Sequence, residues 1–358
     1  MAKNIAFFSD GTWDEPANNS NVYRLYSATE MKDGVQFAAY RTGIGTDDDP
    51  LDKIFGGGFG AGLFRKIKEG YSIIATQYLP GDKIFIFGFS RGAYTARSLA
   101  GMIAVCGLPT VNQADPKCVD MAFEAYRNAA MRKTLLETLN DNYKMGQTKI
   151  QMLGVWDTVG SLGIPAIFGG VDVILYGFLD TNLHPSVLNA VQALAIDEQR
   201  LQFPPALWTN TPATGQTMQQ VWFSGVHCDV GGGYTADRDG SALSNITLHF
   251  MAKHAQDNGL QFKDGAFPAL PQQGDMLATL HNSLTGLYQL TPHPRNIIAD
   301  STIASSVSIR CGCVTAKYAP ANLHFLAGRL ADTYSVLDLL PPPPVTGIPE
   351  SAATSATA

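Results

Sequence analysis

Lys83-Ile-Phe-Ile-Phe-Gly-Phe-Ser-Arg-Gly-Ala-Tyr-Thr-Ala-Arg97 is the stretch on which the reading of this chain turns. Lys83 to Phe87 is apolar on both faces, the mark of a strand in a parallel sheet covered by helices on both sides. A turn at Pro80-Gly81-Asp82 leads into it. Arg91 to Val105 is rich in alanine, has helical spacing, and is closed by Gly107 and Pro109. Between them stands Gly88-Phe89-Ser90-Arg91-Gly92, a Gly-x-Ser-x-Gly nucleophile elbow in the strand-to-helix setting that such an elbow requires. Its serine occupies a strained turn, and its glycines let neighbouring backbone approach without a Cβ in the way. The N–H of Arg91, at the start of the helix, is placed to donate to an oxyanion.

Working outward, Ile5 to Ser9 reads as a buried strand stopped by Asp10-Gly11, and Val35 to Tyr40 as a second strand. Phe64 to Leu79 has helical spacing, with Ile67, Tyr71, Ile74 and Tyr78 on one face. Val119 to Leu139 reads as a helix, Lys149 to Trp156 as a strand, Ser186 to Ile196 as a helix, Thr217 to Phe223 as a strand and Ser244 to Gln256 as a helix. This alternation predicts an α/β-hydrolase-like, doubly wound, mostly parallel sheet with helices on both faces and a lid-like insertion. A single domain is expected over 1–340, with 162–185 as a lid or rim and 341–358 as a Pro/Ala/Ser/Thr-rich tail. Arg41 to Gly62 reads as a loop; its glycine cluster at 56–62 lacks the Gly-Lys-Ser/Thr of a phosphate loop, and Asp47 to Asp49 read as solvated loop charge.

Composition narrows the function classes. The 25 Lys and Arg against 31 Asp and Glu give a formal net charge of −6, which excludes a nucleic-acid binder working through a broad basic surface. A hydrophobic content of 45% excludes a disordered chain. The five cysteines are odd in number and mostly far apart, with Cys311-Gly-Cys313 in a strand-like run, so no disulfide framework is expected. The chain reaches Asp10 before an apolar signal core can form. The most apolar stretch, Leu162 to Leu179, is broken by Pro165, Asp172 and several glycines. Neither a signal peptide nor a transmembrane helix is expected, and the chain reads as cytoplasmic when synthesised.

A serine at neutral pH needs a base, and the base needs a carboxylate to orient it. In this fold they follow in the order Ser, Asp, His, from the carboxyl ends of strands. Asp157 ends one strand in Val155-Trp-Asp-Thr-Val-Gly160, and His227 ends the next in Gly225-Val-His-Cys-Asp229. Ser90, Asp157 and His227 are therefore the candidate catalytic residues. His281 is the rival base, and Asp197, Glu198 and Asp229 are the rival acids. The oxyanion donors are the main-chain N–H of Arg91 and one from the loop after the first strand, at Gly11 or Thr12. No cofactor is called for. Two other classes compete: metal-assisted phosphoester hydrolysis by Asp10, Asp157, His227 and Asp229, and a non-catalytic binding domain on the same scaffold.

Several collinear pieces carry a resemblance. They are Phe8-Ser-Asp-Gly-Thr-Trp13, Gly81 to Arg97, Val155 to Ser161, Ala193-Leu-Ala-Ile-Asp-Glu-Gln-Arg200, Trp222 to Tyr234 and Tyr318-Ala-Pro-Ala-Asn-Leu323. Together they resemble the α/β-hydrolase domain family that includes the type VI secretion phospholipase effectors of the first lipase-effector class. The resemblance implies a Ser-Asp-His ester hydrolase with Ser90, Asp157 and His227 at the matching positions, and lipid substrates such as phospholipids. It also implies transient contact with a membrane surface, a secretion-system or immunity partner, and export by type VI secretion. The chain departs from the family's usual Phe-His-Asp at Phe178-Leu179-Asp180, and from its His-Asp-Ser at His281-Asn282-Ser283.

Overall fold

The computed structural model describes residues 2–43, 58–110, 114–159, 182–267, 271–326 and 329–339. The expected lid at 162–185 (save 182–185), the tail at 341–358, Asp47 to Asp49 and the first glycines of the 56–62 cluster lie outside those residues.

Eight strands among the described residues form one sheet: β1 (Asn4–Ser9), β2 (Gln36–Arg41), β3 (Lys83–Phe89), β4 (Ile150–Trp156), β5 (Asn189–Ala195), β6 (Thr217–Phe223), β7 (Thr302–Ala304) and β8 (Ser335–Leu337). Their spatial order is β8-β7-β6-β5-β4-β3-β1-β2, and every neighbouring pair is parallel. Parallel neighbours cannot be joined by a tight turn, so helices make the crossovers. They include α1 (Asn21–Ala28), α2 (Gly58–Gln77), α3 (Arg91–Cys106), α4 (Pro116–Arg127), α5 (Arg132–Tyr143), α6 (His227–Gly231), α7 (Leu243–Asp257) and α8 (Ser305–Gly312).

Successive side chains of a strand point to opposite faces, so each central strand feeds two cores. Ile5 and Phe7 of β1, Ile84 and Ile86 of β3, and Leu153 and Val155 of β4 pack with Ile67, Tyr71, Leu99 and Ile103 of α2 and α3. Ala6, Phe8, Phe85, Phe87, Met152 and Trp156 pack on the other side with Val22, Leu25, Ile246 and Met251 of α1 and α7. Each such buried side chain contributes about 1.5–3 kcal/mol relative to exposure. Register decides what the sheet presents at its edge. Ser9 lies level with Gly88, Phe89 with Trp156, Trp156 with Ala193, and Ala195 with Phe223. The residues that follow, Asp10, Ser90 and Asp157, therefore emerge together at the carboxyl edge, where ligands bind in open α/β sheets.

Four local expectations are corrected. Ser186 to Ile196 is not helical: Asn189–Ala195 is a central strand buried on both faces, Gln192 included, so it carries no polar/apolar alternation to separate it from a helix. Val119 to Leu139 is two helices, because α4 stops at Arg127 and α5 opens at Arg132. The glycine cluster is not all loop, since α2 already starts at Gly58. Cys311 lies in α8 and Cys313 caps it, so that run is no strand; all five cysteines are free. Among the described residues no helix is long and apolar enough to cross a membrane.

Candidate active site

The elbow is built by close approach. Ser90 has φ 57° and ψ −122°, and its N–H donates to the Trp156 carbonyl at 3.0 Å. A Cβ on Gly88 would collide with the Gly92 backbone, and one on Gly92 with the Ser9 and Asp10 carbonyls. Only glycine at both positions lets α3 leave the sheet this tightly beside β1. Arg91, directly after Ser90, opens α3 and puts the positive end of that helix at the serine.

Asp157 follows β4 with φ 39°, another left-handed position. Its N–H donates to Ala193 O at 2.8 Å, and its Oδ1 accepts from Ala195 N at 3.0 Å. His227 begins α6, one turn of helix after β6, and does not end the strand itself. Its Nδ1 lies 2.5 Å from Asp157 Oδ2 and its Nε2 2.8 Å from Ser90 Oγ. With Nδ1–H donating to the carboxylate, the Nε2 lone pair faces the serine hydroxyl. The structure thus brings Ser90, His227 and Asp157 into one continuous chain, with exposures of 4%, 3% and 0%. Phe89 and Phe203 flank the imidazole, their ring centroids at 4.6 and 5.0 Å.

Burial dominates the electrostatics. It pulls the His227 imidazole below its ordinary value, against the opposing charge of Asp157. Burial would raise Asp157, but the Arg295 guanidinium and the His227 hydrogen bond outweigh it and hold the carboxyl well below the usual range. Asp14, in the loop after β1, is pushed up to about 7 by burial and by the charge of Asp10, against the pull of Arg91.

The other expected residues have different partners. Asp10 accepts from Ser20 Oγ, Tyr40 Oη and Gly11 N at 2.6–2.9 Å. The Gly11 N–H is therefore turned to Asp10, while the buried Thr12 hydroxyl has no hydrogen-bond partner among the described residues. Asp229 accepts from Val226 N and from His281 N and Nδ1, and His281 stacks on Tyr234 at 3.9 Å. The rival base is thus committed to Asp229. Asp197 accepts from Gly225 N and Tyr318 Oη. Glu198 accepts the His227 main-chain N–H, the Ser283 hydroxyl and Arg200, which holds it down at about 2 against burial. Asp10, Asp157 and Asp229 face three separate sets of partners, and no cluster of three metal-ligating side chains occurs among the described residues.

Residues absent from the sequence reading also line the site. Arg295 pairs with Asp157, and Arg200 lies with its Cζ 3.5 Å from the Phe203 ring centroid and 5.5 Å from that of Tyr288. The one local signal available for Arg200 is its spacing from Glu198, two residues before it, which suits an ion pair. Nothing near Arg295 marks a residue that acts 138 positions away.

Comparison with known proteins adds four findings. A family model described as type VI secretion (T6SS) phospholipase effector Tle1-like, catalytic domain, matches residues 3–254. An uncharacterized protein of Saccharomyces cerevisiae is 30% identical over 188 residues, 45% of this chain. The match spans only 27% of that relative's length. An uncharacterized protein from Pseudomonas aeruginosa is similar in structure, with 18% identity and a TM-score of 0.45, over 75% of this chain and 48% of its own. A Tle1 effector solved bound to the VgrG spike of the type 6 secretion system is similar with 20% identity and a TM-score of 0.38, over 66% of this chain and 52% of its own.

Proposed function

Because the chain belongs to the family of Tle1-like phospholipase effector catalytic domains, we propose that it cleaves carboxylic ester bonds of phospholipids by a serine mechanism. Ser90 Oγ attacks the ester carbonyl as His227 Nε2 takes its proton. The resulting imidazolium is steadied by Asp157 and returns the proton to the leaving alcohol. Water, activated by the same imidazole, then releases the fatty acid and frees Ser90. The main-chain N–H of Arg91 and one from the Gly11–Thr12 loop receive the oxyanion, with Thr12 the better placed since Gly11 faces Asp10.

The observation that carries this reading is the unbroken Ser90–His227–Asp157 hydrogen-bond chain at a strained elbow. All three members come from one sheet, which supports a single hydrolase domain over 1–340. Beside it, Tyr288 rests against Phe203 and Arg200, while Leu287 and Leu290 on the same turn are 84% and 77% exposed. This is an apolar rim suited to an acyl chain. From the same family membership we infer a secretion-system partner and export by type VI secretion.

The experiment is hydrolysis of phosphatidylcholine vesicles and p-nitrophenyl esters by purified protein, with and without Ser90→Ala. Wild type should release fatty acid and p-nitrophenol, and Ser90→Ala should lose at least about 10⁴-fold. A fluorophosphonate should label wild type only. Near-wild-type turnover by Ser90→Ala would sink the reading.

A further inference from the structure

Arg295 enters the site far along the chain from the residue it holds, and its guanidinium is 3% exposed. Nη1 donates to Asp157 Oδ1 at 2.5 Å and to Ala195 O at 2.8 Å. Nη2 donates to Asp157 Oδ2 at 2.8 Å and to Phe203 O at 2.9 Å. One rigid fork thus spans both carboxylate oxygens and ties them to the end of β5 and to the loop carrying Phe203. Asn322 in turn holds the Arg295 carbonyl at 3.1 Å. Such bidentate pairing fixes a carboxylate in position as well as in charge. The Asp157 plane that receives His227 Nδ1 is therefore set by Arg295.

The charge has a second effect. An unpaired carboxylate would lend its full charge to the imidazolium that forms in turnover, whereas this one already faces a cation. We propose that Arg295 is a positioning residue of the site, and that by sharing the charge of Asp157 it keeps His227 unprotonated, and so active, at lower pH than a Ser-His-Asp site without such a partner. The proposal rests on the serine-hydrolase reading. Burial and the Arg200 guanidinium also disfavour the protonated ring, so the effect of Arg295 is read as a difference between variants. Glu198, which accepts the His227 main-chain N–H, is paired with Arg200 at 2.9 Å. Asp229, two residues on in α6, is paired with His281. Ser90, Phe89 and Phe203 complete the shell.

The test is the pH–rate profile on a soluble p-nitrophenyl ester for wild type, Arg295→Met and Arg295→Lys, with Ser90→Ala as control. Loss of the cation should lower the Arg295→Met plateau at least tenfold and move its acid-limb midpoint up by about one pH unit. Arg295→Lys, which keeps the charge but not the fork, should lose about tenfold in rate and hold the wild-type midpoint. A reduced plateau with an unmoved or lowered Arg295→Met midpoint overturns the proposal, since a purely structural role predicts that result. If Arg295→Met does not fold, Arg295→Gln, which keeps hydrogen-bond donors without the charge, decides: an acid-limb midpoint raised by about one pH unit supports the proposal, and an unmoved or lowered one overturns it. Active Ser90→Ala would instead refute the serine mechanism, so the two failures are distinguishable.

Discussion

Asp157→Asn puts the arrangement of the site to its sharpest test. The carboxylate receives Ala195 N and Arg295 Nη1 on Oδ1, and His227 Nδ1 and Arg295 Nη2 on Oδ2. An amide can accept on one side only. With its oxygen toward Ala195, its NH₂ faces His227, which forces the ring into the tautomer that carries the proton on Nε2. Ser90 then has no base, and turnover should fall about 10⁴-fold. With its oxygen toward His227, the amide sets donor against donor at Ala195 and Arg295, a clash of about 1–3 kcal/mol for each unsatisfied group. In either orientation a buried guanidinium faces a neutral partner, so stability should fall by about 3–5 kcal/mol. Ester turnover at pH 8 and urea unfolding measure the two losses. The sign with pH follows from the depressed carboxyl of Asp157. Its stabilisation is complete above the unfolded value of about 4 and is lost as pH falls through the folded one, so the gap between wild type and variant should begin to close below about pH 4. Turnover within tenfold of wild type, or an unchanged urea midpoint at neutral pH, would refute the geometry.

Two other outcomes follow from the loop after β1 and the elbow. Gly92→Ala drives a methyl into the Ser9 and Asp10 carbonyls, so α3 must shift; a stability loss of about 1–3 kcal/mol and a turnover loss of about 10²-fold are expected from urea unfolding and ester assay. Asp14, pushed up to about 7, binds its proton more tightly folded than unfolded, so its ionisation costs stability as pH rises from about 4 to 7. Asp14→Asn should therefore raise the Tm by about 2–4 °C at pH 8 and leave it unchanged at pH 4.

The elbow was legible because its requirements are local. A buried strand, a glycine-flanked serine and an alanine-rich helix occupy consecutive positions, and β3 and α3 form where that pattern lies. Asp157 was legible for the same reason, as the residue that follows a buried strand. His227 was located, but its placement at the start of a helical turn was not, since Val226 to Gly231 is too short to carry a period. Asn189–Ala195 was misread because a strand buried on both faces loses its alternation, and Ala-Val-Gln-Ala-Leu-Ala suits either period. The edge strands Thr302–Ala304 and Ser335–Leu337 are too short to declare themselves.

By itself the sequence determined the α/β class, the strand-to-helix elbow at Ser90 and the order of Ser90, Asp157 and His227. Each follows from spacing along a few neighbouring residues. Only the tertiary structure decided which carboxylate meets His227, since Asp157, Asp197, Glu198 and Asp229 all lie near strand ends and the parallel register assigns each its partner. It alone brought Arg295 to Asp157. A charge pair formed across 138 residues leaves no periodicity, because its stability comes from shared burial in a place where neither group can meet water.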